Sequence, residues 1–547
     1  MKKSILVLSL CLLVSTLNAQ LWLVDPLEAI YPDSNKFSNY SKKWEADFPL
    51  GTEADVNVVI RIPVGESFSL SASINGIEIN SNWNQLIDVP VEENTGLDSR
   101  TEQFTNQINP FVIRRAPFKI FEVIKPINNL NINAKTEFSA FRLTIPSSDL
   151  EEQGDYIVNI SVNGESIKEE GIFTFTVYQT KLPMISESQF FYTNWFNLNQ
   201  MEKKHELDRW TEEWFIMLDK YANLMAHGRQ NSITIPSELI YLEEDSIILD
   251  ESKMLRFINV FRKYGFRYFE SPHLMYRGDN DDWDDPELKV ALTKKRYYTE
   301  NGKKDIEEMI SQIKKFATSN NLTNNWLQHI SDEPTEINAK CYKDVANHVK
   351  SVFPQIKIME ATNDRDNLVG AVDIWCPLIN DFQENELFFK EREENGEQVL
   401  VYTCLIPGGK WLNRTLDMEK LRQVYFGWGA AFYNTRGYLH WGLNQFYANP
   451  YEQSVVKHHS PIAGPNNYLP AGDTHIIYPD INGPLSSLRF EAHRMGIEDY
   501  ELLQKLKPQN LRLYKELISK LFRSYTDYSL DLVNYRKTRK ELLISLY

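Results

Sequence analysis

The sequence predicts a multidomain protein of mixed α/β and all-β class. We expect an N-terminal β-sandwich over residues 20–182, a central (β/α)8 TIM-type barrel over 183–484 and a C-terminal helical extension over 485–547. A length of 547 residues exceeds the roughly 250–300 at which one core stops growing. The first third of the chain alternates polar and apolar residues at period two, whereas the middle alternates strand-like with helix-like segments.

The first 19 residues have the three-part layout of a secretory signal peptide. Lys2 and Lys3 precede an apolar run from Ile5 to Val14, and small and polar residues lead to a cleavage site after Ala19. That run is too short to span a bilayer, and no later stretch reaches about 20 apolar residues, so we expect no transmembrane segment. The pattern indicates an exported protein, either periplasmic or extracellular and surface-associated.

Five segments support the antiparallel β-sandwich. Each carries β-branched or aromatic residues at every second position and is bounded by turn residues. The segments are Asp55–Val64, Ser67–Gly76, Phe138–Pro146, Asp155–Gly164 and Gly171–Tyr178.

Eight strand-like runs support the barrel. They are Ser188–Phe196, Ser232–Pro236, Phe266–Leu274, Asn325–Ser331, Ile356–Thr362, Val372–Leu378, Val399–Cys404 and Gly437–Asn444. Segments with helical periodicity, such as 304–317, 336–352 and 418–433, lie between them. This alternation favours a (β/α)8 barrel, with a doubly wound parallel sheet as the alternative. The tail from Ser486 is predicted to begin with a capped helix that ends before Pro508.

Charge and cysteine content exclude some functions. The formal net charge of −16 becomes −18 once Lys2 and Lys3 leave with the signal peptide. Nucleic-acid binding is therefore disfavoured, because it depends on an excess of Lys and Arg. The three remaining cysteines are widely spaced and fit buried apolar positions better than a disulfide framework or a zinc site. They are Cys341, Cys376 and Cys404.

Two adjacent carboxylates, Asp332 and Glu333, end the fourth predicted barrel strand in the stretch LQHISDEPTE. In a barrel the carboxyl ends of the strands carry the active site. Pro334 predicts an extended backbone at Glu333. Successive strand residues point to opposite faces, but at a twisting strand end both side chains can reach one opening. The structural alternative is an ordinary surface turn.

Adjacent carboxylates suit substrate-assisted glycoside hydrolysis. Ordinary glycosidases separate two carboxyl groups by about 5–5.5 Å or about 6.5–9.5 Å, and the two usually come from different strands. In the substrate-assisted route the 2-acetamido oxygen of the sugar is the nucleophile. One carboxylate then orients the amide and stabilises the oxazoline-like intermediate, while the other acts as acid and base. A negative neighbour raises a carboxyl pKa, which helps to keep that acid protonated.

Three stretches resemble glycoside hydrolase family 123. They are His329–Pro334, Gly437–Phe446, and the pair Ala471–Pro479 with Gly483–Leu503. The resemblance implies a retaining exo-β-N-acetylgalactosaminidase acting on a glycan or glycolipid that ends in a β-linked N-acetylhexosamine. It assigns Asp332 to the acetamido group and Glu333 as general acid/base, and it requires no metal or organic cofactor. A β-hexosaminidase or glycosidase of other sugar specificity, and a non-catalytic carbohydrate-binding protein, are the alternatives.

Seven further side chains are candidates for substrate binding. The tryptophans offer apolar ring faces to a sugar, Asn444 offers an amide to a hydroxyl group, Tyr402 a donor to the acetamido oxygen, and two histidines lie near loops expected at the same face. Each also has a structural interpretation as a core or hydrogen-bonded residue. The candidates are Trp441, Asn444, Tyr402, Trp375, Trp195, His227 and His273.

The acidic loop Arg277–Glu287 has enough carboxylates for a calcium site. Its pattern lacks the ordered ligand positions of a helix-loop-helix calcium motif. A solvated loop is therefore the favoured interpretation, and calcium binding is the alternative.

Overall fold

The structure, a computed structural model, describes residues 19–34, 41–74, 77–79, 82–150, 152–278, 282–458 and 466–546. The predicted signal peptide, apart from Ala19, lies outside these residues. Within the described ranges, no helix is both long enough and apolar enough to cross a membrane.

Residues 20–181 form two β-sheets that share a hydrophobic core. The strands are β1 (Gln20–Val24), β2 (Lys43–Leu50), β3 (Ala54–Arg61), β4 (Ser67–Ile74), β5 (Ile77–Glu78), β6 (Asn82–Val91), β7 (Phe118–Pro126), β8 (Asn131–Asn133), β9 (Phe138–Ile145), β10 (Gly154–Gly164) and β11 (Lys168–Lys181), with a short helix α1 (Glu102–Thr105) between β6 and β7. The first sheet has the order β1-β3-β9-β6-β7, and the second has β2-β11-β10-β4-β5 with β8 on β4. Val56 and Phe141 of the first sheet and Val158 and Phe173 of the second belong to one core cluster.

The remaining strands are short. They are β12 (Phe191–Asn194), β13 (Ser232–Thr234), β14 (Ile240–Glu243), β15 (Ser246–Leu249), β16 (Tyr268–Glu270), β17 (Met275–Tyr276), β18 (Lys289–Val290), β19 (Trp326–Gln328), β20 (Lys357–Thr362), β21 (Ile374–Pro377), β22 (Gln398–Val399), β23 (Val401–Tyr402), β24 (Gly437–His440), β25 (Val456–Lys457), β26 (Tyr468–Leu469), β27 (Tyr478–Asp480), β28 (Gly483–Leu485), β29 (Phe522–Ser524) and β30 (Asp527–Tyr528).

Nine of these strands pair in parallel and position the candidate site. One sheet has the order β13-β16-β19-β20-β21-β22 and the other β12-β24-β23. The two sheets are joined at both sides. The Asn231 amide before β13 donates to the carbonyl of Tyr192 in β12 (3.2 Å), and only Leu400 separates β22 from β23. Each of the eight runs predicted as barrel strands contains at least one of these strands.

Helices alternate with the parallel strands and then form the tail. They are α2 (Leu198–His205), α3 (Glu212–His227), α4 (Glu251–Arg262), α5 (Glu300–Ser319), α6 (Ala339–Val352), α7 (Ile379–Glu384), α8 (Glu386–Glu394), α9 (Leu421–Tyr433), α10 (Leu488–Gln509), α11 (Leu511–Leu521) and α12 (Leu532–Ser545). Mixed α/β architecture is therefore confirmed. Ser487 caps α10 as expected, but the helix continues one residue past Pro508, because the fixed φ of proline is itself helical.

An inserted arm, residues 94–115, leaves β6 and packs against the loop that follows β23. Asp417 in that loop accepts hydrogen bonds from the Asn94 side chain (3.1 Å) and from the amide (2.8 Å) and hydroxyl (2.7 Å) of Thr95. The Gly408 amide donates to the Asp98 carbonyl (2.7 Å). The N-terminal sheets thus contribute residues directly to the carboxyl-end side of the parallel strands.

Candidate active site

A cavity of about 540 Å³ lies at the carboxyl ends of the parallel strands. Asp332 and Glu333, which follow β19, both line it and are half-buried. They are the two carboxylates among the described residues of the cavity wall. Both residues therefore line the same cavity at the carboxyl ends of the strands.

The backbone of Glu333 is not extended. Its φ of +44° lies in the left-handed region, which non-glycine residues adopt at a cost. The Glu333 amide donates to the Ala361 carbonyl in β20 (3.1 Å), and Arg277 Nη1 donates to the carbonyls of Asp332 (3.3 Å) and Glu333 (3.2 Å). These contacts override the preference imposed by Pro334. The turn also breaks the strand alternation that would send the two carboxylates to opposite faces.

Tyr402, the last residue of β23, contacts the proposed acid. Its hydroxyl donates to Glu333 Oε1 at 2.5 Å and lies 3.4 Å from Asn363 Oδ1. Burial and the neighbouring Glu333 carboxylate raise the pKa of Tyr402 well above 10, so the phenol keeps its proton. We expected Tyr402 to donate to the acetamido oxygen of the substrate, but in the structure its hydroxyl donates to Glu333.

Three tryptophans line the cavity. Trp195 donates from Nε1 to Glu270 (3.1 Å), and Trp441 donates from Nε1 to Asp473 (3.3 Å), so each ring is fixed in orientation. Trp283 stacks on the Arg277 guanidinium, whose Cζ lies 3.6 Å from the ring centroid. Apolar ring faces of this kind suit the C–H face of a sugar.

A buried network of charged side chains lies behind the carboxylate pair. His329 contacts Glu360 through Nδ1 (3.1 Å) and Glu270 through Nε2 (3.2 Å). Glu360 also accepts from the backbone amides of Ile330 (2.8 Å) and Ser331 (3.1 Å). Because these amides immediately precede Asp332, Glu360 fixes the turn that presents the pair.

Acidic and histidine side chains alternate along this network. Burial alone would lower the pKa of His329, but hydrogen bonds to Glu270 and Glu360 raise it to about 10. Burial would raise the pKa of Glu360, yet its bonds to His273 and His329 lower it to about 2. For Asp332, burial dominates and raises the pKa, opposed by the positive charges of His273, Arg277 and His329.

His273, His329 and Glu360 have ligand atoms within 4.8 Å of one another and could in geometry hold a metal ion. A histidine binds metal only as the neutral imidazole. Both ring nitrogens of His329 already meet carboxylates, and its raised pKa keeps it protonated at neutral pH. We therefore interpret the cluster as a hydrogen-bond network.

The structure does not support the expectation that Trp375 contacts the substrate. Its side chain is fully buried, its Nε1 donates to Glu397 (2.5 Å), and its ring packs against Phe388 and Phe389 of α8. Its neighbour Cys376 belongs instead to the core cluster that includes Tyr402. The two-residue alternation of a strand therefore turns Trp375 toward the helices and away from the cavity.

Asn444 and His227 also lie outside the cavity wall. Asn444 is fully buried and clamps the backbone of Asn197, accepting from its amide (2.8 Å) and donating to its carbonyl (3.0 Å). His227 ends α3, which leads into the amino end of β13, and its Nε2 contacts Glu491 (3.0 Å). The connection from α3 to β13 lies at the amino ends of the parallel strands, whereas the cavity lies at their carboxyl ends.

His273 lies at the carboxyl end of β16, as expected, but behind the cavity wall. Its Nε2 contacts Glu360 Oε1 (3.2 Å), and its ring centroid is 4.8 Å from that of His329 and 5.8 Å from that of Trp195. We assign it to the buried network.

Sequence reasoning missed several residues of the cavity wall. Arg277 and Trp283 belong to the acidic loop that we interpreted as solvated, where Asp285 pairs with Arg296 (3.0 Å); residues 279–281 of this loop lie outside the described ranges. Arg100 arrives on the inserted arm. Among the missed residues, only Trp283 could have been recognised from the sequence, because it is an aromatic residue within an acidic loop. The missed residues are Arg100, Arg277, Trp283, Asn363, Gln445, His458 and Asn467.

Comparisons with known proteins identify the family of this chain. The model of the glycoside hydrolase 123 catalytic domain matches residues 195–506. A family 123 glycoside hydrolase from Clostridium perfringens, studied for glycolipid glycan hydrolysis, has a similar fold with a TM-score of 0.72 at 15% identity, over 96% of this chain and 97% of that one. An endo-β-1,4-mannanase from Thermotoga petrophila matches with a TM-score of only 0.36 at 12% identity, over 58% of this chain and 78% of its own. No curated protein matches the sequence. The chain belongs to glycoside hydrolase family 123.

Proposed function

We propose that this glycoside hydrolase removes terminal β-linked N-acetylgalactosamine from glycans or glycolipids by substrate-assisted catalysis with retention of configuration. One observation carries the proposal: Asp332 and Glu333 are consecutive residues that line one cavity as its two described carboxylates. A mechanism with an enzyme nucleophile needs a second carboxyl group across the sugar. The acetamido group of the substrate can supply that nucleophile.

In the proposed reaction Asp332 accepts a hydrogen bond from the acetamido N–H and stabilises the positive charge that develops on it. The acetamido oxygen attacks the anomeric carbon while Glu333 donates its proton to the departing glycosidic oxygen. Water then attacks the same carbon, Glu333 takes the proton of that water, and the oxazoline ring opens to regenerate the acetamido group. Two displacements at one carbon give net retention.

The architecture supports an active site at this position. We infer that the parallel strands close into a (β/α)8 barrel, since the Asn231 contact to Tyr192 and the adjacency of β22 and β23 link the two parallel sheets at both sides. The two N-terminal sheets with their shared core fit a β-sandwich. Catalytic groups at the carboxyl ends of barrel strands are the rule for this fold.

Glycolipid glycans are part of the proposed substrate class because the C. perfringens relative is described as hydrolysing them. Three tryptophans in the cavity wall agree with a carbohydrate ligand. Export through the predicted signal peptide would bring the enzyme to such substrates.

Hydrolysis of matched aryl β-glycosides tests the proposal. The panel contains the N-acetylgalactosaminide, the N-acetylglucosaminide and the galactoside, each with and without a thiazoline that mimics the oxazoline. The proposal expects turnover of acetamido sugars, fastest for the galactosaminide, and inhibition by the thiazoline. Equal turnover of the galactoside would refute it, and preference for the glucosaminide would favour a β-hexosaminidase.

A further inference from the structure

Arg100 brings a positive charge to the cavity that the proposed chemistry does not use. It belongs to the inserted arm and so comes from the N-terminal sheets. A neutral N-acetylhexosamine needs no cation for recognition. The mechanism proposed for Asp332 and Glu333 therefore leaves the purpose of this side chain open.

The guanidinium of Arg100 is held in place by neutral groups. Its Nε donates to Asn467 Oδ1 (2.9 Å), its Nη1 donates to Ser99 Oγ (2.9 Å), and its Cζ lies 4.1 Å from the centroid of the Phe104 ring. The guanidinium is thus fixed in orientation, and its Nη2 has no hydrogen-bond partner among the described residues.

No described carboxylate neutralises this charge. Arg100 forms no ion pair with a described residue. Burial lowers its pKa, and Cys404 is the group that opposes this effect. The thiol pKa of Cys404 is itself raised well above 9, so this neighbour is uncharged at neutral pH. An anion bound here would compensate the partly buried cation.

The backbone of Arg100 is also held against its preference. Its φ of +58° lies in the left-handed region, where its amide donates to the Leu405 carbonyl (2.9 Å) and its carbonyl accepts from Gly96 (2.8 Å). These contacts between the arm and the loop after β23 hold Arg100 in a conformation that costs energy. In this conformation the side chain lines the cavity.

The position of Arg100 favours the leaving-group side. Leu405, which holds its amide, follows β23, and Tyr402 of that strand donates to Glu333. Glu333 is the proposed proton donor to the leaving oxygen, whereas the positive charges of His273 and Arg277 act on Asp332. A group near Arg100 would therefore belong to the sugar that departs.

We propose that Arg100 forms a subsite for an anionic group, a carboxylate or a sulfate ester, on the sugar next to the terminal N-acetylgalactosamine. This inference depends on the proposed function for the identity of the terminal sugar. A guanidinium nitrogen without a described partner can donate a charge-assisted hydrogen bond to an oxygen of either group. The substrates would be acidic glycans or acidic glycolipids.

Three disaccharides that differ at one carbon test the subsite. All carry β-N-acetylgalactosamine on O4 of a glucose whose C6 is a hydroxymethyl group, a carboxylate or a sulfated hydroxymethyl group. We expect kcat/KM to be at least about 10-fold higher for one or both anionic forms, because a charge-assisted hydrogen bond is stronger than a neutral one. The favoured anion separates the two sources, a uronic acid and a sulfated glycan. Added salt should weaken the preference.

Variants assign the preference to this residue. Arg100→Gln should bring the anionic-to-neutral ratio close to one, and Arg100→Lys, which keeps the charge without the fork, should retain part of it. Arg114→Gln is the matched control, because Arg114 lies on the same arm but pairs with Asp33. Aryl N-acetylgalactosaminide turnover should stay within about 2-fold of wild type in Arg114→Gln. In the two Arg100 variants, the anionic-to-neutral ratio is measured within each variant, so a general loss of activity cancels, and thermal unfolding checks that all three variants fold.

Two results would overturn the inference: no anionic preference in the wild-type enzyme, or a preference that survives in Arg100→Gln. If the aryl galactosaminide itself is not turned over, the proposed function fails separately. Calorimetric binding of the three disaccharides to Glu333→Gln then decides the subsite, since it needs no catalysis. Equal affinities there would also rule it out.

Discussion

The Tyr402 hydroxyl donates a 2.5 Å hydrogen bond to Glu333 Oε1. Tyr402 ends β23 and Glu333 lies in the turn after β19, so the contact ties these two parts of the site together. A hydrogen bond donated to a carboxylate stabilises its ionised form. The contact therefore acts directly on the group proposed to give and take the proton.

Replacing Tyr402 by Phe should shift the pH dependence of catalysis. Without the donor, Glu333 keeps its proton to higher pH, so the basic limb of the kcat/KM profile should move up. kcat should fall by about 10-fold because the acid is less well oriented. Tyr438→Phe is the control, since its hydroxyl bonds Thr403 (2.5 Å) in the core. An unchanged basic limb in Tyr402→Phe would contradict the assignment.

Asp332 and Glu333 should respond differently to amide substitution. Asp332→Asn should lower kcat about 10²–10³-fold on every substrate, because the charge of the intermediate loses its counter-ion. Glu333→Gln should spare aryl glycosides with good leaving groups relative to natural glycans, which need acid assistance. Steady-state kinetics on both substrate types measures the contrast. Wild-type activity of both variants on a natural glycan would remove the pair from the mechanism.

Glu360 should be a positioning residue. Glu360→Gln leaves His329 with one carboxylate partner and weakens the hold on the Ile330 and Ser331 amides, so unfolding free energy should fall by about 3–5 kcal/mol. kcat should fall while KM changes little. Glu501→Gln provides the control, because Glu501 is equally buried and accepts from the Phe190 amide (3.2 Å) before β12. A similar loss of kcat in both variants would mean a general effect of destabilisation.

The buried network predicts a pH window of stability. His329, whose pKa is raised to about 10, contributes fully below its unfolded value of 6.5 and loses its contribution as pH rises through 10. Glu360, lowered to about 2, contributes fully above 4.5 and loses its contribution as pH falls through 2. The difference in urea unfolding free energy between wild type and His329→Gln should shrink from pH 6.5 toward pH 10. A constant difference would argue against a charged His329.

Trp441 should bind the sugar, whereas Trp375 should not. Trp441→Ala should raise KM for the aryl galactosaminide by about 10-fold, which corresponds to about 1.4 kcal/mol of lost ring contact. Trp375→Phe should lower stability with KM unchanged, because that ring packs against α8. Thermal unfolding and initial-rate kinetics separate the two effects. An equal rise of KM in both variants would place Trp375 back in the site.

Local patterns explain which elements the sequence predicts. The runs that became parallel strands are buried on both faces and stand out as apolar segments, so all eight could be located. Strand β6, NWNQLIDVPV, was not identified because Asn, Gln, Asp and Pro obscure its alternation. Strand β2, KWEADFPL, was also not identified, because charged residues and a proline obscure its alternation.

Long-range contacts explain what the sequence did not predict in the site. Asp332 and Glu333 are neighbours in sequence and were accessible to local reasoning. Arg100 lies 232 positions before Asp332 and reaches the cavity only because the inserted arm packs on the loop after β23. The left-handed backbone of Glu333 likewise depends on Ala361 and Arg277, which no local pattern connects to it.

The most direct test of the central claim is a rate series on aryl β-galactosaminides with increasingly fluorinated N-acetyl groups. Fluorine withdraws electrons from the acetamido oxygen and weakens it as a nucleophile, while the leaving group stays the same. If that oxygen attacks the anomeric carbon beside Asp332, kcat/KM should fall steeply with each added fluorine. Rates that do not depend on fluorination would contradict substrate-assisted catalysis and require a nucleophile from the enzyme.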